Sequence, residues 1–459
     1  MEFANLNRLL ANASSEPTRR ARKAALKLLK AGVEAADPKA CVKDHVKLEG
    51  EKLKVGERSF DLSMVRRIFV VGGGKASGRM AEALEEILGA RITSGIVNVP
   101  HGTSKMFRVE RIRLNEASHP IPDELGVKGV RQMVKLLEEA GESDLVFTLI
   151  SGGGSALIPL PMEGVSLADK QEVTSLLLRS GAPIQAVNTV RKHISAIKGG
   201  RMALKAYPAI LIALVISDVV GDKFENIASG PTVPDPTTYL QALQVCSRYG
   251  VLGRLPTAVR KLLEDGVRGR LEETPKPENP AFAKVLNVLV GTNRKSCMAM
   301  VEKAEELGLN RLFLTSTLEG EARHVGTVLA AILREAVEVG SLLPKPLAII
   351  LGGETTVTVK GKGKGGRSQE LALSAAKKLE GLDGVVLASM GSDGIDGFTD
   401  AAGAMVDGYT VARAEGLGLD LEAMLNDNDS YHFFSKLGDL ILTGPTGTNV
   451  NDFIVLVAM

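Results

Sequence analysis

Residues 65–88 constrain the fold more than any other stretch. Val65–Val71 is a mostly apolar, β-branched run of strand length, Gly72-Gly-Gly-Lys-Ala-Ser77 follows it, and Arg79–Leu88 spaces its apolar residues at helical intervals. The order is strand, glycine turn, helix. Where a parallel strand feeds a helix through glycines, bare backbone N–H groups and the positive end of the helix dipole face one crevice, which suits an anion. Lys75 adds a full positive charge there, and Gly73 and Gly74 are the backbone positions expected to approach a phosphate.

Two neighbouring motifs are excluded. A P-loop requires glycine and Ser or Thr at the positions held here by Phe69 and Ala76. A dinucleotide fingerprint begun at Gly72 requires glycine where Ser77 stands, and an acidic residue roughly 20 positions on, closing the next strand. That strand, Ser94-Gly-Ile-Val-Asn-Val-Pro100, contains no acid.

The same alternation continues. Helices are predicted over 4–35, then strands near 66–71, 94–99, 145–150 and 209–216, separated by helical patterns near 78–89, 123–140 and 167–181. This predicts a parallel sheet covered by helices. The run Ser229-Gly-Pro-Thr-Val-Pro-Asp-Pro236 excludes helix and central strand and reads as a hinge or boundary. A second sheet is expected to begin at 284–290 and to continue near 311–315, 347–351, 355–360, 384–389 and 453–457. Only Gly352-Gly-Glu354 separates 347–351 from 355–360, which predicts an antiparallel hairpin and hence a mixed sheet. The 459 residues suit two α/β domains, placed at 1–235 and 236–459.

Composition narrows the partners. The net charge is +2 with 24% charged residues of mixed sign, so no field for nucleic acid or anionic membrane is set up. The longest apolar run, Ala209–Ile216, is far below the roughly 20 residues of a membrane span. Cys41, Cys246 and Cys297 have no metal-ligand or redox spacing, and the N-terminus shows no export signal. A cytoplasmic protein with small-molecule partners is expected, with no nucleic acid and no membrane.

Ligands in open α/β sheets bind outside the carboxyl ends of the strands, and here most of those ends carry glycine-rich polar loops. Ser151-Gly-Gly-Gly-Ser155 offers phosphate its backbone N–H groups and hydroxyls (Ser151, Gly152, Gly153, Gly154, Ser155). It is not a nucleophile elbow, because Ala156 and Leu157 follow Ser155. Gly361-Lys-Gly-Lys-Gly-Gly-Arg367 reads as a mobile cationic flap, with Lys364 and Arg367 directed at phosphates. Asp393 and Asp396, in Gly391-Ser-Asp-Gly-Ile-Asp-Gly397, form a carboxylate pair suited to Mg²⁺. His119 and the segment Asn188-Thr-Val-Arg-Lys-His193 suit a small carboxylate, which arginine grips bidentately.

Taken with Ser217-Asp-Val-Val-Gly-Asp222, Ala228-Ser-Gly-Pro-Thr232, Gly352-Gly-Glu-Thr355, Gly365-Gly-Arg-Ser-Gln-Glu370 and Asn449, these segments make the chain resemble, over nearly its whole length, the glycerate kinases of the MOFRL type. The resemblance implies a Rossmann-like N-terminal domain, a C-terminal domain with a mixed sheet and an active site in the cleft between them. It also implies transfer of a phosphoryl group from ATP to D-glycerate, with Mg²⁺ or Mn²⁺ and with 2-phosphoglycerate favoured as product. The family's active-site lysine and arginine fall on Lys75 and Arg367. Asp218 and Glu354 are the candidate bases; Ser77, Asn188 and Arg191 are expected at the substrate; Lys364 and Asn449 join the nucleotide-binding set. A monomer or a homodimer is expected. Older naming in the family supplies the alternative, an NAD(P)H-dependent hydroxypyruvate reductase.

Overall fold

The computed structural model describes residues 1–340 and 342–459. The chain divides into two compact units, Pro38–Val290 and a second assembled from Met1–Asp37 with Gly291–Met459. This differs from the expected division at 235/236. The Pro-rich stretch lies inside the first of these units, where Gly199 and Gly200 N–H donate to the carbonyls of Ser229 and Gly230 (3.0 and 2.8 Å). It is a buried strap rather than a boundary.

The N-terminal helix Glu16–Ala35 belongs with the C-terminal half because its apolar face packs there, Gly32 lying against Met300 and Phe453, and because one buried arginine is paired there. Arg22 is fully buried and ion-pairs with Asp407 (2.5 Å) and Asp439 (2.7 Å), both equally buried. Removing it would leave two fully buried carboxylates to share Arg413 (3.4 and 2.8 Å) as their one remaining cation, so the loss should be strongly destabilising.

In the Pro38–Val290 unit, β1 (Val46–Glu49), β2 (Lys52–Val55) and β3 (Arg58–Asp61) form a small antiparallel meander. The main sheet holds β4 (Arg67–Gly73), β5 (Ile92–Pro100), β6 (Ile112–Ala117), β7 (Asp144–Ile150), β8 (Ile210–Ile216) and β9 (Val285–Gly291) in the order β6-β5-β4-β7-β8-β9. β4 to β8 pair in parallel. The central strands are buried on both faces, so they read as continuous apolar runs. The order is that of a doubly wound Rossmann sheet: the chain moves outward from β4 to β6, then returns to the other side of β4 as β7. β9 completes this sheet rather than opening the next one, as the sequence had suggested. β6, Ile-Arg-Leu-Asn-Glu-Ala, is a polar edge strand whose pattern carries no strand signal.

The other unit holds β10 (Asn310–Leu318), β11 (Leu347–Gly353), β12 (Val385–Gly391), β13 (Gly403–Asp407), β14 (Leu440–Ile441) and β15 (Asp452–Ala458), ordered β10-β11-β15-β12-β13-β14. β10 and β11 are parallel and the remaining pairs antiparallel, so the sheet is mixed. The expected hairpin at 355–360 does not form. β10 and β15 already occupy both edges of β11, and the segment makes only an isolated bridge between Thr356 and Glu321.

Candidate active site

The adjacent strands β4 and β7 flank the point where the winding direction reverses, and their two glycine loops meet there. Lys75 N–H donates to the Gly152 carbonyl (2.8 Å), and Ala76 N–H donates to Ser151 Oγ (3.0 Å). Ser77 is buried; its hydroxyl donates to the Leu149 carbonyl (3.1 Å) and lies 3.2 Å from Ser151 Oγ. Ser77 and Ser151 therefore brace the loops from below, a role distinct from the substrate and phosphate contacts expected of them. Gly154 N–H is likewise engaged by the Ser151 carbonyl (3.0 Å), and Gly74 N–H approaches the Asn98 carbonyl (3.3 Å). Gly73 ends β4 and is buried.

The close approaches around this loop identify its chemistry. A Cβ on Gly152 would lie 2.5 Å from Asp218 Oδ2, so the carboxylate at the end of β8 rests on the glycine backbone. Gly153 has φ +81°, a left-handed conformation that glycine adopts without steric penalty. A Cβ there would meet His119 Cδ2 at 2.8 Å and Lys75 Cγ at 3.3 Å. Lys75 itself is exposed. Burial, and then the charge of Lys75, hold the His119 imidazole below its ordinary pKa and so neutral at pH 7.

A cavity of about 770 Å³ opens beside this loop, lined by His119, Gly153, Ser155, Lys170, Arg191 and Lys198 among others. Its floor is a relay: Ser155 Oγ is 3.3 Å from Ser229 Oγ, which donates to Asn188 Oδ1 (3.0 Å). Asn188 thus positions Ser229 from a buried site. Ala228, Ser229 and Gly230 all have positive φ (50°, 62° and 60°). Two consecutive non-glycine residues in that region store about 1–3 kcal/mol each. The strap is held so by the hydrogen bonds from Gly199 and Gly200 and by Lys198 Nζ, which donates to the Ala228 carbonyl (3.0 Å).

In the unit that contains the C-terminal sheet, Arg367 opens the helix Arg367–Leu379 and is gripped by carboxylates. Its Nε and Nη2 donate to Asp452 (2.6 and 2.9 Å), and its Nη1 donates to Glu354. Glu354 also accepts from Asn451 Nδ2 (3.0 Å). Burial opposes the charge on Arg367, but Asp452 and then Glu354 outweigh it and hold the guanidinium well above its ordinary pKa. Burial pushes the Asp452 carboxyl up to about 7, against the pull of Arg367. A guanidinium has five N–H donors, so this fork fixes the group's plane and leaves it able to bond a further oxyanion.

The expected metal pair is not a pair. Asp396 is buried and accepts from Ser368 N (3.1 Å), Gln369 N (2.8 Å) and Gln369 Nε2 (3.0 Å), capping the helix that begins at Arg367. Burial raises its pKa to about 6 against those bonds. Its oxygens are turned to the helix rather than to a cation. Asp393, half-buried, accepts from Ile395 N (3.1 Å). Among the described residues no group of three or more His, Cys, Asp or Glu side chains could hold a metal ion. The expected flap is also tethered: Lys362 N donates to Asp427 Oδ1 and Lys364 N to Asp429 Oδ1 (both 2.9 Å), and Lys364 Nζ stands 4.2 Å over the Tyr431 ring. Asn449 Oδ1 accepts from Asn451 N (3.2 Å), shaping the loop that leads into β15.

Sequence reasoning missed Asp452, Lys170 and Lys198. A signal for Lys170 existed, because it shares the buried face of its helix with Leu167, Val173 and Leu177, so a lysine stood in an apolar stripe. Asp452, the first residue of an otherwise apolar strand, carried a weaker signal of the same kind.

Comparisons with known proteins identify the family. A family described as a domain of unknown function (DUF4147) matches residues 24–264, and the MOFRL family matches 347–452. The chain is 44% identical over 437 residues to a glycerate 2-kinase of Pyrococcus horikoshii, covering 95% of this chain and 97% of that protein. It is 44% identical over 434 residues to the D-glycerate 2-kinase of Thermotoga maritima, with the same coverage. A crystal structure of glycerate kinase from T. maritima superposes with a TM-score of 0.84 at 42% identity, covering 95% of this chain and 99% of that one. With both family domains matched in order and such identity along almost its full length, the chain belongs to the MOFRL-type glycerate kinase family.

Proposed function

We propose that this protein transfers the γ-phosphoryl group of ATP to the 2-hydroxyl of D-glycerate, giving 2-phosphoglycerate and ADP. The observation that carries this reading is the pair of interlocked glycine loops at the switch point of a Rossmann-ordered sheet, with Lys75 exposed beside them and a cationic cavity adjoining. In the proposed reaction the 2-hydroxyl oxygen attacks the γ-phosphorus, the bond to the β–γ bridging oxygen breaks, and the hydroxyl proton passes to a carboxylate. Asp218 is the better base of the two candidates, since its carboxylate lies against Gly152 in the loop after β7, beside Lys75. Lys75 neutralises charge on the transferring group, the electrostatic work that dominates phosphoryl transfer. Arg191 receives the substrate carboxylate. We place the reaction in the cytoplasm, the reading that the scarce, separated cysteines support.

Because Asp396 faces its helix, we infer that Mg²⁺ or Mn²⁺ enters on the nucleotide phosphates rather than in a protein cage, as is usual for magnesium. The reductase alternative has less support: the loop after β4 lacks the dinucleotide fingerprint. Incubation with D-glycerate and Mg-ATP should release ADP, EDTA should stop it, and phosphorus NMR should find the product phosphorylated at carbon 2. NADH consumption with hydroxypyruvate, and no ADP with glycerate, would replace this reading with the reductase.

A further inference from the structure

Two buried lysines and a half-buried arginine line the cavity without a carboxylate partner among the described residues. Lys170 is 6% exposed, and its Nζ has no hydrogen-bond partner there. Lys198 is 1% exposed and, among the described residues, donates to the backbone carbonyl of Ala228. Arg191, half-buried, lines the same cavity, and no ion pair among the described residues joins it to an acid. The neighbouring basic residues are treated differently: Lys192 has Asp235 at 3.3 Å, and Arg201 bonds Tyr239. An amine buried without a partner loses its hydration with nothing in return, so a fold that keeps this one facing a cavity is shaped for an anion.

We propose that Lys170, with Arg191 and Lys198, forms a closed oxyanion site that receives the carboxylate of the acid substrate. This rests on the kinase reading above and adds the two lysines to it. A phosphate chain favours backbone N–H groups of a glycine loop; the lysine site has side-chain cations instead, and a single carboxylate needs no more than two or three donors. Burial first, and then the charges of Arg191 and Arg201, hold the Lys170 amine down at about 7 in the empty cavity, while burial, Lys170 and Arg191 hold Lys198 well below its ordinary value. His119, Glu172 and Arg179 also line this cavity. An entering carboxylate reverses the balance, so Lys170 takes up a proton as the acid binds.

The test is steady-state kinetics on Lys170→Met and Lys170→Gln together with thermal shifts. With saturating Mg-ATP, the glycerate KM of both variants should rise roughly 10-fold or more, the ATP KM should stay within about twofold, and the ligand-free melting temperature should equal or exceed wild type. The melting shift induced by D-glycerate should vanish in the variants, whereas glycerol, which lacks the carboxylate, should shift none of the proteins. An unchanged glycerate KM overturns the proposal, and so does a rise confined to the ATP KM, or loss of a shift given by inorganic phosphate while that of glycerate persists. If wild type binds D-glycerate but releases no ADP, the kinase reading fails, and the thermal-shift arm still decides the site.

Discussion

Arg367, half-buried, and Lys170, buried, are both cations withdrawn from bulk water, and they are managed in opposite ways. Arg367 has two carboxylates on three of its N–H groups, so its charge is fixed and its plane is set before any ligand arrives. Lys170 has cations for neighbours and no acceptor, so its charge depends on what occupies the cavity. A compensated cation is a tool for a transient charge, because it needs no reorganisation when that charge develops. An uncompensated one is a receptor for a standing charge. On the proposed reading, the chain separates catalysis from recognition by the presence or absence of an acidic partner.

Perturbing the compensated group should have the larger effect. Arg367→Lys keeps the net charge but gives up the bidentate fork, so kcat should fall by roughly 10²-fold or more. The melting temperature should drop too, because Asp452 loses its fixed partner. A lowered melting temperature with kcat intact would reduce Arg367 to a brace for Asp452 and break the contrast. Lys75→Ala should also lower kcat by about 10²-fold. Its side chain is exposed, so circular dichroism and melting should stay near wild type; an unchanged kcat would leave the loop after β4 a plain turn.

Asp396→Ala should act on stability alone. It removes three hydrogen bonds at the start of the Arg367 helix, a loss of about 1–3 kcal/mol, while the Mg²⁺ concentration for half-maximal rate stays put. A rise in that concentration would restore Asp396 to the metal site. The smallest effect concerns pH and the ligand-free protein. Lys170 keeps its proton to about 7 when folded, against a reference value of 10.5. Between these values the unfolded chain binds more protons, so this residue makes stability increase as pH rises from about 7 toward 10. Denaturant titrations across that range should give a shallower rise for Lys170→Met than for wild type. Equal slopes would mean that the amine is not held neutral in the empty cavity.

The parts of this molecule that were legible from sequence are those where local pattern and burial coincide. β4, β7 and β8 are buried on both faces and announce themselves as apolar runs, and the loops that follow β4 and β7 carry glycine because close approach requires it. Pairing partners were not legible. Nothing local says that β9 returns to the first sheet, that β15 occupies the edge of β11 offered to residues 355–360, or that Arg22 is buried against Asp407 and Asp439. Candidate functional side chains in each unit divide in the same way. Lys75, Arg367 and Asp218 stand in motifs, whereas Asp452 and Lys170 are single polar residues in apolar patterns whose meaning comes from what surrounds them in space. Asp396 shows the reverse error, since an acidic motif with metal-like spacing turned out to cap a helix.

The claim that the lysine pocket receives a carboxylate is tested most directly by the proton it should take up. D-glycerate binding at pH 8 can be followed by titration calorimetry in Tris and in HEPES, buffers of different ionisation enthalpy. The account predicts that wild type shows different apparent enthalpies in the two buffers, reporting net proton uptake, and that the difference is smaller in Lys170→Met, where only Lys198 of the two lysines remains to be protonated. Equal enthalpies for wild type, or a difference undiminished in Lys170→Met, would contradict it.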